Sequence, residues 1–217
     1  MEVIAERLET IAYAKIKKII ISAEFSPGSL ISENELSRRL EISRTPVHTA
    51  MIKLEQEGFV ELFSKRGAIV KEVSFSEFYE MHETIVALER FALSRAKSRT
   101  TLFDLNRLKA FLDRQISASE KNDHLAYYDS SFNFAAAIIE TANNRKMLDI
   151  LDQYRDRIIF KIVTYRKAHP ESKPLVSLRT NSEIYQALAD GNIPKAMSEL
   201  SRNLAIVSRN FMKDRRI

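Results

Sequence analysis

The chain has 217 residues, 45% of them hydrophobic and 29% charged, a length and composition that suit two small domains with buried cores. No apolar run approaches the ~18 residues needed to span a bilayer. It contains no cysteine, which excludes disulfides, thiolate metal ligands and a cysteine nucleophile. The formal net charge is +5, but residues 1–75 hold 11 Lys and Arg against 11 Glu, so an interaction with nucleic acid would depend on where individual cations lie.

Residues 1–10 mix acidic and apolar side chains, unlike a signal peptide, and we therefore expect a cytoplasmic protein.

Two helices are predicted before residue 41. A first amphipathic helix is predicted over about Glu6–Ser22, and a short second one over about Glu33–Leu40. Ser32 and Glu35 have the spacing of a capping box, which predicts that the second helix begins there.

A third helix and a β-hairpin are predicted next. Ser43 stands at a capping position and Pro46 in the first helical turn, where the missing N–H group loses no intrahelical bond. Gly58 is suited to end the helix, because glycine adopts the left-handed conformation cheaply. The hairpin is predicted from two short apolar runs and the basic turn between them: Phe59–Leu62, Ala68–Val73 and Ser64–Gly67.

From Ser74 onwards the pattern predicts helices alone. The low count of 4 glycines and 5 prolines fits a mainly α protein. Six helices are predicted, at about residues 75–98, 102–121, 124–142, 145–168, 176–190 and 193–214. The predicted fold is therefore a winged helix-turn-helix domain over residues 1–73 followed by an all-helical bundle over residues 74–217.

The third helix and the hairpin turn present polar residues that suit DNA. A recognition helix lays its first turn against base edges in the major groove, and a basic wing contacts a groove or the backbone. The candidates are Ser43, Arg44, Thr45, His48, Lys65, Arg66 and Gly67. Taken residue by residue, a capped surface helix with a few solvated cations is the more common explanation, but the order of these residues along the chain favours DNA binding.

The run from Pro27 to Val70, "PGSLISENELSRRLEISRTPVHTAMIKLEQEGFVELFSKRGAIV", resembles the DNA-binding domain of the GntR family of bacterial transcription regulators. The resemblance implies operator contacts by Ser43, Arg44 and Thr45, with Arg66 and Gly67 at the wing tip. The family usually has arginine where this chain has His48, and often arginine at the position of Asn34. We therefore expect both positions to face DNA and the operator to differ from the commonest one of the family.

The remainder resembles the FCD effector-binding domain of the FadR branch, in its shorter, VanR-like form. Stretches such as "YYDSSFNFAAAIIETANNRKM" carry the resemblance. Such domains dimerise, and most hold a divalent metal with one aspartate and three histidines. The resemblance places Asp129 at the aspartate position, and Asn133, Asn181 and Asn203 at the three histidine positions.

Amide oxygens are poor ligands for zinc or nickel, so we expect no transition metal as a cofactor. His82, His124 and His169 are expected to lie outside this constellation. The expected effector pocket consists of Asp129, Asn133, Asn181, Asn203 and Tyr185, with Arg155 and Arg157 as further candidates. Ile85 replaces an arginine that many metal-using members have, which weakens the case for a small organic acid as the effector. A structural polar network without a ligand remains an alternative.

The leading hypothesis is a homodimeric repressor that binds double-stranded operator DNA and changes affinity when a small molecule binds the helical domain. The alternative is a DNA-binding regulator whose helical domain serves only dimerisation or partner contact. An enzyme is not expected, because the sequence has no P-loop, GxSxG or HExxH motif and no cysteine. The sequence does not identify the effector, the operator or the target genes.

Overall fold

The computed structural model describes residues 2–64, 66–96, 102–170 and 177–214 and is mainly helical over these ranges, as predicted. None of the described helices is long and apolar enough to span a membrane. Two compact units are formed, residues 1–74 with 160–170, and residues 75–159 with 171–217. In chain order the elements are α1 (Glu2–Ile21), β1 (Leu30–Ile31), α2 (Glu33–Leu40), α3 (Arg44–Gln56), β2 (Val60–Phe63), β3 (Gly67–Val70), α4 (Phe75–Ala96), α5 (Leu105–Glu120), α6 (His124–Glu140), α7 (Arg145–Ala168), α8 (Ser177–Ala189) and α9 (Ile193–Asp214).

The first unit is built on the packing of α1 against α3. Apolar residues recur at helical spacing on both helices, so each helix has one face to remove from water. The fully buried side chains of these faces are Ala12, Ile16, Ile20, Val47, Met51 and Leu54. Burying each large aliphatic side chain contributes about 1.5–3 kcal/mol. Gly58 follows α3 with φ at +79°, the left-handed conformation predicted for the end of this helix.

A three-stranded antiparallel sheet completes the helix-turn-helix region. Its strand order is β1-β3-β2, with Val60 opposite Val70 and Phe63 opposite Gly67 in the predicted hairpin. The prediction missed β1, which has only two residues and pairs Leu30 with Ile69. The segment from Val60 to Val70, hereafter the wing, is thus bound on one side to the residues that precede α2.

Two helix starts differ in detail from the predicted capping. Ser32 has the extended backbone of an N-cap, with φ −92° and ψ 128°, but its side chain makes no capping hydrogen bond. Ser43 also precedes its helix without a side-chain cap. In the second unit, by contrast, the carboxylates of Asp104 and Asp123 accept hydrogen bonds from the backbone N–H groups of Arg107 and Ala126, respectively. An N-cap position is therefore well predicted by residue type, whereas its hydrogen bond is not.

The last part of α7 belongs to the first unit, although the sequence-based division assigned it to the second domain. The rings of Phe160 and Phe59 meet edge to face, with their centroids 6.3 Å apart. Lys167 Nζ donates a hydrogen bond of 2.7 Å to the backbone carbonyl of Ala23. Helical periodicity predicted the extent of α7, but it does not show which partner a helix face meets.

The second unit is a helical bundle in which α5 packs on α6, α8 on α9, and α9 on α4. Fully buried aromatic and aliphatic side chains fill its interior, among them Leu93, Leu108, Phe134, Ile138 and Ile184. The six predicted helices are all present. A smaller set of polar residues also lies inside this bundle.

Candidate nucleic-acid interface and polar clusters of the helical unit

The first turn of α3 divides its residues between the core and the surface. Pro46 and Val47 are buried, and they hold this end of the helix against the rest of the first unit. Arg44, Thr45 and His48 are exposed, as is Ser43 immediately before the helix. The sequence therefore places four polar side chains on the free side of α3, as a recognition helix requires.

A concave surface lies between the start of α2, the first turns of α3 and the wing, and the cavity that it lines has a volume of about 400 Å³. Of the predicted DNA-contacting residues, it brings together Asn34, Arg44, His48, Arg66 and Gly67. Ser43 and Thr45 are exposed beside it, and Lys65 lies outside the described residues. The full lining is Ser32, Glu33, Asn34, Arg44, His48, Leu62, Phe63, Ser64, Arg66 and Gly67.

His48 is tied to α2 by a contact that the sequence analysis did not predict. Its Nδ1 atom lies 2.8 Å from Oε1 of Glu33, the first residue of α2. The histidine side chain keeps 55% of its surface exposed, whereas that of Glu33 keeps 19%. No sequence signal identifies such a pair, because the two residues are fifteen positions apart and lie on different helices.

Gly67 is required by the architecture of the wing. Its φ is +99°, a conformation that side-chain-bearing residues rarely adopt. A Cβ atom at this position would also lie well inside contact distance of the Ile31 carbonyl oxygen in β1. The close approach that glycine permits here is therefore to a neighbouring strand, although Gly67 was predicted only as a DNA contact at the wing tip.

The end of α3 is fixed to α1 by a polar contact. Tyr13 Oη donates to the Glu57 carboxylate at 2.6 Å, and Lys17 Nζ lies 2.9 Å from the same carboxylate. Desolvation and the hydrogen bond to Glu57 raise the pKa of Tyr13, so this hydroxyl remains a donor. Lys53 Nζ lies 4.0 Å from the Tyr13 ring centroid, which directs this cation towards α1.

In the second unit, four of the five predicted effector residues fall into three separate clusters. The first cluster joins α6 to α7. Asn133 Nδ2 donates to Asp129 at 3.0 Å, and the Arg155 guanidinium binds the Asp129 carboxylate and lies 3.4 Å from Asn133 Oδ1. Asp129 keeps 55% of its side-chain surface exposed, so this cluster lies at the surface of the unit.

The second cluster surrounds Asn181 inside the bundle. Asn181 is 7% exposed and donates to Gln115 Oε1 at 2.9 Å and to Ser131 Oγ at 3.1 Å. Gln115 is fully buried and donates in turn to Ser177 Oγ at 3.2 Å. Ser177 then donates to the Tyr127 hydroxyl at 3.0 Å, which extends the chain of hydrogen bonds back to α6.

The third cluster contains a histidine that the sequence analysis placed outside the constellation. His82 Nε2 lies 3.1 Å from Asn203 Oδ1, and Asn203 Nδ2 donates to Thr180 Oγ1 at 3.0 Å. Desolvation lowers the pKa of His82 to about 4, although the hydrogen bond to Asn203 opposes this change. The ring is therefore neutral near pH 7 and donates its Nε2 hydrogen to the amide oxygen.

Glu89 lies on the same face of α4 as His82 and is only 6% exposed. It forms no hydrogen bond or ion pair with any residue in the described ranges. Burial raises the pKa of its carboxyl group to about 8. Ile85, between them on the helix, is 3% exposed. Tyr185 is half-buried on α8 and joins none of the three clusters.

The donor atoms of this unit do not fit a transition-metal site. Asp129, the carboxylate that the resemblance implies as a ligand, is already paired with Arg155. The three asparagines supply neutral amide oxygens and belong to different hydrogen-bonded clusters. Within the ranges that the structure describes, no three or more His, Asp or Glu residues are grouped as metal binding would require.

Two family models match the chain. Residues 8–70 match the model described as bacterial regulatory proteins, gntR family, and residues 80–205 match the FCD domain. Together the two matches cover the helix-turn-helix region with its wing and most of the helical unit. They agree with the resemblances found in the sequence.

Similar proteins carry related descriptions. The chain is 26% identical over 190 residues to the HTH-type transcriptional repressor RspR of Escherichia coli, covering 86% of this chain and 82% of that protein. It is 35% identical over 117 residues to an uncharacterised HTH-type transcriptional regulator of Agrobacterium vitis, covering 52% of this chain and 67% of that protein. The crystal structure of a putative transcriptional regulator GntR from Rhodococcus sp. RHA1 shares the fold, with a TM-score of 0.80 at 22% identity, over 96% of this chain and 98% of that one.

Proposed function

Since the chain belongs to the gntR family of bacterial regulatory proteins and carries an FCD domain, we propose that it is a cytoplasmic, homodimeric repressor whose affinity for its operator changes when a small molecule binds the helical unit. The chain is a DNA-binding transcriptional regulator, and its relatives are regulators rather than enzymes. The sign of regulation, the response to a ligand, the dimer and the cytoplasmic location are the proposed parts.

The observation that carries the DNA-binding part is the concave surface beside α3. Arg44 and Arg66 line it from the recognition helix and from the wing, respectively, and both side chains are exposed. Arginine reads guanine O6 and N7 bidentately in the major groove or binds backbone phosphates. A dimer would place two such surfaces on half-sites about one helical turn of DNA apart.

Gel-shift measurements on the upstream region of the gene itself test this assignment. We expect Arg44→Ala and Arg66→Ala each to weaken operator binding by roughly 10-fold or more, in line with ~1–3 kcal/mol for a base-contacting arginine. Arg145→Ala is the matched control, because this substitution removes the same charge from a residue of the helical unit that is 77% exposed. Equal losses in all three variants would show that charge alone acts, and would contradict a reading role for this surface.

The ligand-binding part is supported by the buried polar residues of the helical unit. Gln115, Asn181 and Asn203 are each at most 7% exposed, and together they connect α5, α8 and α9 to their neighbours. Buried amides offer donors and acceptors that a small polar ligand can use by exchanging hydrogen bonds. The donor set supports a ligand that binds without a transition metal.

The alternative is a helical unit that serves dimerisation without sensing. It is favoured by a specific observation, because the amide groups of Asn181 and Asn203 already find partners within the protein. A fully satisfied network also stabilises a unique core. A thermal-shift screen with metabolites separates the two functions, since a ligand that binds the folded state raises the melting temperature by mass action.

A chelator separates a metal-free sensor from the metal-using form. We expect the operator complex, and its response to an active metabolite, to be unchanged after treatment with EDTA. The same gel-shift with added Zn²⁺ or Ni²⁺ should show no change at metal concentrations near the protein concentration. Loss of the DNA complex in EDTA would overturn the metal-free assignment and leave the DNA-binding assignment intact.

A further inference from the structure

The pairing of His48 with Glu33 has a chemical consequence for the concave surface. An ionised carboxylate only accepts hydrogen bonds, so the 2.8 Å contact to Glu33 Oε1 requires that Nδ1 of His48 carries the hydrogen. In a neutral imidazole the hydrogen resides on one nitrogen alone. The other nitrogen, Nε2, is then an acceptor.

Nothing in the described ranges uses this acceptor. Among the residues that the structure describes, the contact through Nδ1 is the only hydrogen bond of His48, and 55% of the side chain is exposed. His48 lines the concave surface together with Arg44 of the preceding helical turn. The free nitrogen therefore belongs to the part of α3 that faces a bound duplex in the proposed function.

An acceptor and a donor read different base edges in the major groove. Arginine donates, and it pairs with guanine O6 and N7. A neutral histidine that accepts through Nε2 needs a base amino group, which is N4 of cytosine or N6 of adenine. Guanine presents the acceptors O6 and N7, and thymine presents the acceptor O4, so neither base offers a hydrogen to Nε2 in the major groove.

From this geometry we infer that Glu33 is a positioning residue that fixes the Nδ1–H tautomer of His48, and that His48 selects an amino-bearing base, cytosine or adenine, in each half-site. The inference rests on the proposed DNA-binding function of the concave surface and specifies its recognition. Glu33 is mostly enclosed and acts through His48, whereas His48 touches the base.

The identity of Glu33 matters because a glutamine would not fix the tautomer. The glutamine amide can donate through nitrogen or accept through oxygen, so the ring could carry its hydrogen on either nitrogen. With the hydrogen on Nε2, His48 would become a donor and would favour guanine or thymine. Glu33→Gln is therefore expected to relax the base preference while keeping the shape of the surface.

Selection from a random duplex library, followed by affinity measurement on single-base variants of the selected site, tests the inference. For the wild type we expect one position per half-site to prefer cytosine or adenine by roughly 5- to 100-fold. His48→Ala and Glu33→Gln should reduce this preference to a few-fold at that position only. His48→Arg should switch it to guanine. Glu35→Gln, an exposed carboxylate on the same helix, is the matched control and should keep the wild-type profile.

The tautomer is observable without DNA. The protein contains four histidines, and ¹⁵N–¹H correlation spectra of the side chains, assigned with His48→Ala, report which nitrogen of each ring carries the hydrogen. We expect the Nδ1–H form for His48 in the wild type and in Glu35→Gln, and its loss in Glu33→Gln. An Nε2–H form in the wild type, or a ring that carries hydrogens on both nitrogens, would overturn the inference.

The outcomes separate the inference from the function it rests on. If the wild type selects no sequence at all, the proposed sequence-specific function fails. If it selects a site but His48→Ala weakens all sequences equally and reduces the salt dependence by about one ion, His48 is a phosphate contact and the base-reading inference is overturned. A wild-type profile in Glu33→Gln would overturn the positioning role of Glu33.

Discussion

The guanidinium of Arg155 binds the carboxylate of Asp129, so a cation supplied by the chain itself neutralises the acid that related domains are expected to offer to a metal. Asn133, one helical turn from Asp129, bonds to both partners. This surface cluster thus satisfies its own charges.

A double-mutant cycle with Arg155→Met and Asp129→Asn measures this interaction by urea unfolding. Asp129 is more than half exposed, so we expect solvent screening to limit the coupling free energy to about 1 kcal/mol or less, and salt to reduce it further. A coupling near ~3 kcal/mol, insensitive to salt, would instead indicate an enclosed ion pair.

Glu89 should make stability fall as the pH rises. Its folded pKa of about 8 exceeds the ordinary value of 4.5, so the folded carboxyl keeps a proton that the unfolded chain releases between these values. The lowered pKa of His82 acts in the opposite sense, but only below its ordinary value of 6.5. Between pH 6.5 and about 8, the loss of stability caused by Glu89 is therefore not offset by His82.

In that window we expect the free energy of unfolding to fall by about 1 kcal/mol per pH unit in the wild type. Glu89→Gln should remove this contribution, because the amide does not titrate. Glu83→Gln, an exposed carboxylate on the same helix, is the control and should retain the wild-type slope. Parallel profiles for the wild type and Glu89→Gln in chemical denaturation would contradict the prediction.

Asn203→Leu should destabilise the helical unit by about 2 kcal/mol. The substitution leaves His82 and Thr180 without the amide that links them, and an unsatisfied buried polar group costs about 1–3 kcal/mol. Gln153→Leu changes an exposed amide on α7 and should shift stability by ~0.5 kcal/mol or less. Comparable melting temperatures for the two variants would show that the link contributes little.

Gly67→Ala and Gly28→Ala separate two causes of strain. Both glycines have positive φ, +99° and +84°, but an added Cβ meets nothing within 4 Å at Gly28 and meets the Ile31 carbonyl oxygen at Gly67. We expect about 1–2 kcal/mol of destabilisation at Gly28 from the backbone alone and about 2 kcal/mol more at Gly67. Equal melting temperatures would mean that the wing moves away from β1 at no cost.

The helices were predictable because their signals are local. Apolar spacing, capping residues and Gly58 lie within a few positions of the helix ends they determine. The strand β1 was missed for the opposite reason, since two residues carry no alternating pattern and pair with β3 almost forty positions later. The contact of Phe160 with Phe59 spans about a hundred positions and was equally invisible to local reasoning.

The candidate sites were predicted as residue types but not as contacts. The exposure of Arg44 and His48 followed from helical periodicity, whereas the partner of His48 on α2 did not. His82 was placed outside the constellation of asparagines because the resemblance assigns it no ligand position, and its contact with Asn203, 121 positions away, leaves no local signal in the sequence. Such pairs depend on how the helices pack, which no spacing along the sequence specifies.

Strand β1 fixes the width of the concave surface that a duplex would meet in the proposed function. Ile31 pairs with Ala68 in the wing, and Glu33 begins α2 only two residues after Ile31. The wing and the start of α2, which line opposite sides of the concave surface, are thereby joined through main-chain hydrogen bonds. These bonds set the width of that surface in the absence of DNA. Because the backbone is already ordered, little conformational entropy of the backbone would be lost on binding DNA. Recognition would then differ between operators mainly through side-chain rotamers and ordered water.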